Sequence, residues 1–316
     1  MRICSLLPSA TDIVMALGLG DSLVAVTHEC DLPPGAAPVP VITSSRLPRH
    51  LASREIHNHV TASAHSGSSL YTLDQSLLER LAPDVILTQE LCDVCAISYG
   101  EVATAVHRLD VSAPGPRTML SLEPQTLGAI LDSIVAVGRV CGVADRAAAL
   151  VAGLRSRIER IADRAATVTR RPRVFAMEWL DPPYSAGHWV PEMVQLCGGR
   201  DELGRSGGFS EEVSWRQIAD WDPEVLILMP CSFTLERTLD EAAGLAAPDG
   251  WSALTAVRSG RVYAVDASRY FSRSGPAVVD GLEILAAIIH PALVADVSVP
   301  PSWRRVDVAT VAREGR

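Results

Sequence analysis

Between Pro124 and about Val168 the chain carries no strand signal, and that interruption limits its fold more than any other feature. Apolar residues in this stretch recur at helical spacing: Leu127, Ile130, Leu131, Ile134, Val135 and Gly138, then Leu150, Leu154, Ile158 and Ile161. Gly142, near the middle, leaves two arrangements open, one very long helix or two in tandem. On either side strand and helix signals alternate. Arg2–Leu6 reads as a strand, Pro8–Leu17 as a helix stopped by Gly18, Leu23–Val26 as a strand, and Pro40–Ile42 as a third. An amphipathic helix over Leu73–Leu81, a buried strand at Val85–Leu87, a helix over Tyr99–Arg108 and a strand at Thr118–Ser121 follow. After Pro172 the alternation restarts with strands at Arg173–Met177, Val225–Met229 and Arg261–Val265, and helices at Val190–Leu196, Ser214–Ala219 and Pro276–Ile289.

Alternation of this kind implies an α/β fold with mostly parallel sheets. The expected organisation is an N-terminal α/β lobe over residues 1–123, a helical connector over 124–170 and a C-terminal α/β lobe over 171–316. The halves echo each other. Leu81-Ala82-Pro83-Asp84-Val85-Ile86-Leu87 matches Trp221-Asp222-Pro223-Glu224-Val225-Leu226-Ile227 in pattern, and Leu17-Gly18-Leu19-Gly20 matches Leu196-Cys197-Gly198-Gly199. Two echoes in the same order point to two related, Rossmann-like lobes. Ligands of open α/β sheets bind beyond the carboxyl ends of the strands, so facing lobes would share one cleft.

The loops that would line it are chemically unequal. In the first half, His28, Glu29 and Cys30 follow the second strand, and Cys92 and Cys95 follow the fourth. Cys-x-x-Cys lets two sulfurs converge on one point, so His28, Cys30, Cys92 and Cys95 are a candidate set for zinc or an iron–sulfur centre; buried thiols acting as small hydrophobes are the alternative. In the second half, the loop from Glu178 to Trp189 holds Trp179, Tyr184, His188 and Trp189, and the loop from Asp266 to Ser272 holds Tyr270 and Phe271. Aromatics beside polar groups form planar walls for a large, partly apolar ligand, although each could instead pack beneath its loop. His188 reads either as an axial ligand to a bound metal–organic compound or as an ordinary hydrogen-bonded histidine. His50, His57, His59 and His65 fall in a polar stretch around a helix and read as a solvated face.

Composition removes several classes of function. The net charge is −9, which argues against nucleic acid, and no basic stretch suits anionic lipid. All 28 basic residues are arginine, which excludes lysine-based covalent chemistry. No apolar run of about 18 residues suggests membrane insertion. The seven cysteines are an odd number, and Arg2–Leu6 reads as a strand rather than part of an export signal. The chain as it stands therefore reads as cytoplasmic, and as exported if a leader precedes it. There is no phosphate loop, Gly-x-Ser-x-Gly elbow or His-Glu-x-x-His.

The segments Ser5–Asp12, Pro83–Leu87, Arg173–Gly199 (with Pro182-Pro183-Tyr184-Ser185-Ala186-Gly187) and Asp266–Pro276 together resemble the helix-linked, class III substrate-binding proteins of ABC importers. The similarity is greatest to the cobalamin-binding branch and its signal-less subgroup, and it covers nearly the whole chain. It implies a rigid two-lobed clamp that holds cobalamin or a related corrinoid or metal chelate, with no required cofactor. It also implies that the loops of Glu29, Trp179, Tyr184, Tyr270 and Phe271 touch ligand, and that an acidic residue on each lobe meets an ABC permease, Glu101 being the first-lobe counterpart. The cysteine-rich loops are not part of that pattern. Two other functions are therefore carried forward: a metal- or iron–sulfur-dependent enzyme or metallochaperone, and a siderophore or haem binder.

Overall fold

The computed structural model describes residues 1–48, 50–66, 70–89, 102–107, 117–244 and 248–307. In the first half, strands β1 (Ile3–Ser5), β2 (Leu23–Ala25), β5 (Val85–Thr88) and β6 (Thr118–Ser121) form one parallel sheet in the order β2-β1-β5-β6. A separate antiparallel pair, β3 (Thr43–Ser45) and β4 (Tyr71–Leu73), brackets helix α2 (Ser53–Ser66). The second half holds a five-stranded sheet in the order β11-β10-β9-β7-β8. Its centre, β7 (Val174–Trp179), β9 (Val225–Leu228) and β10 (Val262–Val265), is parallel, and its edges, β8 (Tyr184–Ser185) and β11 (Trp303–Arg305), are antiparallel.

Residues alternate across each sheet because successive side chains on a strand point to opposite faces. Ile3, Val85 and Leu87 face α1 (Pro8–Ala16), while Cys4 and Ile86 face the helix α3 (Gln75–Leu81) and the short helix α4 (residues 102–107). In the second sheet Val174, Ala176, Val225, Ile227 and Val265 face α7 (Val190–Leu196) and α12 (Val278–Ile289); Phe175, Met177, Leu226 and Leu228 pack on the other side with α8 (Trp215–Trp221), α9 (Leu235–Gly244) and α10 (Thr255–Arg258). Both sheets are thus covered on both faces, as parallel sheets require.

The internal echo has a geometric basis. Asp74 and Ser214 cap the N-termini of α3 and α8 through their side chains, and each helix ends in a left-handed residue, Ala82 (φ 40°) and Asp222 (φ 45°). A proline then starts the run into β5 or β9. Gly18 (φ 70°) and Gly198 (φ 76°) likewise end the runs of α1 and α7, where a left-handed turn favours glycine.

The connector consists of two helices, α5 (Leu127–Val140) and the 23-residue α6 (Ala144–Ala166). This is the tandem arrangement, and the break falls at Cys141–Val143, with Gly142 at φ 70°. Gly138 is required there: a Cβ on it would lie 2.3 Å from the Ala147 Cβ, so the helices cross at glycine contact. Two other expectations shift. Val41 makes only an isolated bridge to Val26, and the strand begins at Thr43. The Leu73–Leu81 helix begins at Gln75, because Tyr71–Leu73 is extended to pair with β3.

Candidate ligand cleft

The carboxyl ends of the strands from the two sheets meet at one junction, and the contacts across it are specific. Arg273, in the loop before α12, reaches the first half: its Nη2 donates to Glu29 O (3.2 Å) and Asp31 Oδ2 (2.7 Å), and Nη1 lies 3.8 Å from Asp12 Oδ2. On the connector, Leu127 N–H donates to Glu192 Oε2 on α7 (3.0 Å).

The second half presents an aromatic and cationic wall. Trp179, the last residue of β7, meets Phe233 edge to face with centroids 5.4 Å apart. The Arg237 guanidinium carbon sits 3.6 Å from the centre of the Phe233 ring, a close cation–π contact. Burial lowers the pKa of Arg237 from its ordinary value, against the attraction of Glu241 and Glu29. Among the described residues no carboxylate forms an ion pair with it within 4.0 Å. Glu29, exposed on the first-half loop, is thus within electrostatic reach of this wall.

The stretch expected to be a solvated, histidine-bearing face crosses the junction. Ser53 N–H donates to Glu241 Oε1 (2.7 Å), Trp179 Nε1–H to Ser53 O (3.2 Å) and Arg237 Nη2–H to Leu51 O (3.1 Å). Arg54 forms a bidentate pair with Asp181, and the His57 and Tyr184 rings lie 6.1 Å apart. The start of α2 is therefore an arm of the first half laid on the second. Only its outer positions, such as His59, face solvent as the polar pattern predicts.

The other aromatic candidates are divided by burial. Trp189, Tyr270 and Phe271 are 8 %, 7 % and 4 % exposed and pack in the core; Trp189 Nε1–H donates to Phe271 O (3.0 Å). Tyr270 and Phe271 turn inward because the short helix α11 (Ala267–Tyr270) lies tight on α12, where a Cβ at Gly281 would be 2.4 Å from Tyr270 O. Packed in the core, all three present no open face to a ligand. Trp179 and Tyr184 keep partial exposure at the junction. His188 (φ 52°) is held between Trp189 and Phe209, with centroids 5.6 and 5.5 Å away, and its N–H donates to Gly208 O (2.6 Å). It is a packed loop histidine and not part of the Trp179 wall.

On the first half the thiol and imidazole find separate partners. Cys30 Sγ shares hydrogen bonds with Thr11 Oγ1 (3.0 Å) and Thr27 Oγ1 (3.1 Å), and burial raises its pKa, so it stays a neutral thiol. His28 Nδ1 bonds Thr43 Oγ1 (2.7 Å), its Nε2 lies 3.4 Å from Glu29 Oε1, and burial lowers its pKa. Among the described residues no three His, Cys, Asp or Glu side chains are arranged to hold a metal ion. Cys92, Cys95 and Glu101 lie outside the described residues.

Arg237, Glu241, Phe233 and Arg273 complete the junction, and sequence reasoning gave none of them a role. Phe233 and Arg273 sit in loops that follow strands of the second half, where a cleft is expected; Arg237 and Glu241 carry no signal beyond their place in a helix's first turns.

Two α/β units with loops converging on one junction and a helical connector beside it define a cleft-type small-molecule binding protein. The chain belongs to the periplasmic binding protein family, whose model matches residues 3–268. It is similar to an ABC transporter substrate-binding lipoprotein of Bacillus subtilis, 26% identical over 295 residues, covering 92% of this chain and 80% of the relative. It is also 25% identical over 293 residues to a vitamin B12-binding protein of Vibrio cholerae, covering 89% and 86%. In fold it resembles the solved periplasmic vitamin B12 binding protein of Vibrio cholerae (TM-score 0.66, 24% identity, 92% and 97% covered) and a periplasmic heme-binding protein from Roseiflexus (TM-score 0.65, 21% identity, 92% and 98% covered). The family is one of binding proteins, and the enzyme alternative finds no support in it. Neither the metal-binding nor the cytoplasmic expectation is supported by these relatives. Among the described residues no helix is long and apolar enough to cross a membrane.

Proposed function

We propose that this protein binds a cobalamin-type corrinoid between its lobes and presents it to an ABC permease. The observation that carries this reading is the partly exposed Trp179 beside the Arg237 guanidinium, both seated on the buried Phe233 ring at the junction of the two halves. A flat macrocycle with polar edges can bury a face on Trp179 while its edge groups meet the charged residues, and a preformed wall keeps the ordering cost small. The vitamin B12-binding relative, aligned over most of both chains, supports corrin over other macrocycles. The domain division into residues 1–123, 124–170 and 171–316 belongs to the same proposal, with the connector as the passive spine of the clamp.

Calorimetric titration of the full chain with cobalamin, cobinamide and haem tests it. The expected result is saturable one-to-one binding of at least one corrinoid, weakened about tenfold or more by Trp179→Ala, as for an aromatic anchor at the centre of an interface. No heat with any corrinoid, or tight binding of haem alone, would overturn it.

A further inference from the structure

The arm meets the second half through its backbone. Three polar groups of the wall are engaged: the Trp179 indole N–H, the Glu241 carboxylate and the Arg237 guanidinium. Their partners are Ser53 O, Ser53 N–H and Leu51 O. All three are amide groups, and the side chains of Leu51 and Ser53 take no part. The Ser53 side chain fits poorly: its residue is fully buried, and its hydroxyl has no hydrogen-bond partner among the described residues. A buried hydroxyl left unpaired costs about 1–3 kcal/mol. The arm is therefore seated by its amides while its side chain opposes the seat.

We propose that Trp179, Glu241 and Arg237 form a carboxamide-recognition set, which the arm fills with its own backbone in this form and the ligand takes over when it binds. This rests on the corrinoid reading and narrows it to ligands edged with primary carboxamides. The arm presents three successive peptide groups, and neighbouring carboxamides offer the same atoms: one a carbonyl oxygen for the Trp179 N–H, another an N–H for Glu241, with a further carbonyl in the place of Leu51 O at Arg237. A free carboxylate in the Ser53 place would set acceptor against acceptor and charge against charge at Glu241. Glu241 is the residue that separates amidated from acidic macrocycles.

The test uses the full chain, titrated with dicyanocobinamide, whose edge carries carboxamides, and with cobyrinic acid, whose edge carries free carboxylates. The wild type is expected to prefer the amidated corrinoid by about tenfold or more, the scale of one charged hydrogen bond. Glu241→Gln keeps the shape and an acceptor oxygen but removes the charge, and is expected to narrow that ratio by gaining affinity for the acid. Hydrogen exchange supplies the second readout: with dicyanocobinamide bound, the amides of residues 51–54 should exchange faster, because Ser53 N–H has lost its acceptor. A ratio near one in the wild type, a ratio unchanged by Glu241→Gln, or continued protection of 51–54 in the complex each overturns this proposal while leaving corrinoid binding intact. Failure of both corrinoids to bind overturns the functional reading and this one with it.

Discussion

Asp201 shows at the scale of one residue how the second lobe's loops are pinned. Its carboxylate accepts N–H bonds from Ala176 (3.1 Å), Leu203 (3.1 Å) and Gly204 (3.0 Å), tying the 201–204 turn to β7. Burial nevertheless dominates and raises its pKa from 3.8 to about 6. The folded state therefore holds this proton at a pH where the unfolded chain has released it. Stability from this group is full below about pH 4 and declines as pH rises to 6, by about 3 kcal/mol at most. Urea denaturation of wild type and Asp201→Asn across that window should show the difference between them changing with this sign, and a constant difference would refute it. Tyr270, Phe271 and Trp189 show where residue-level reading stops. An aromatic in a loop signals burial of a large face, but the signal is the same whether that face meets ligand or, as here, the underside of α12. Arg237 and Glu241 were silent for the opposite reason: charged residues four apart on a helix are common on solvated faces, and only the arm of another lobe reveals their use.

At the scale of elements, the connector touches α1 through Arg146 and is tied to α12 by a cluster of charges. Glu283 on α12, 2 % exposed, accepts from Arg157 (3.0 and 2.7 Å) and Arg160 (3.3 Å) of α6, and Arg157 also pairs with Asp280. Glu283→Ala removes the buried carboxylate that joins the two part-exposed guanidiniums, of which Arg157 keeps Asp280, and is expected to cost about 1–3 kcal/mol in denaturant unfolding, whereas replacement of an exposed pair such as Arg216–Asp220 should cost under about 1 kcal/mol. The central elements were legible in the sequence because each repeats a local physical pattern: apolar runs behind Pro83 and Pro223, and helix stops at Gly18 and Gly198. The edge strands β8 and β11 were not, since two or three residues carry no periodicity, and their pairing is decided by the neighbour they reach. The arm was missed for a related reason. Its polar helix matches a solvated face, and its docking depends on main-chain groups that every sequence has.

For the whole molecule, closure rests on links between side chains of one half and loops of the other. Arg273, only 12% exposed in its side chain, holds the Glu29–Asp31 loop and lies beside Asp12. Arg273→Ala should loosen the lobes without unfolding either: amide exchange in 27–31 and 272–275 is expected to quicken about tenfold, a loss of 1–2 kcal/mol in local opening, while the strand cores stay protected. Uniform acceleration would mean that Arg273 supports the fold instead. The arm has a different consequence. Tied to the first sheet's side through β3 and β4 at both ends, it is a tethered competitor, and its local concentration is fixed by chain length and never diluted. A ligand that needs the Trp179 face meets this rival at the same strength in every molecule. The affinity observed is the intrinsic affinity reduced by the fraction of molecules with the arm lifted. Substitutions in the arm that touch no ligand atom can therefore set the concentration at which capture begins.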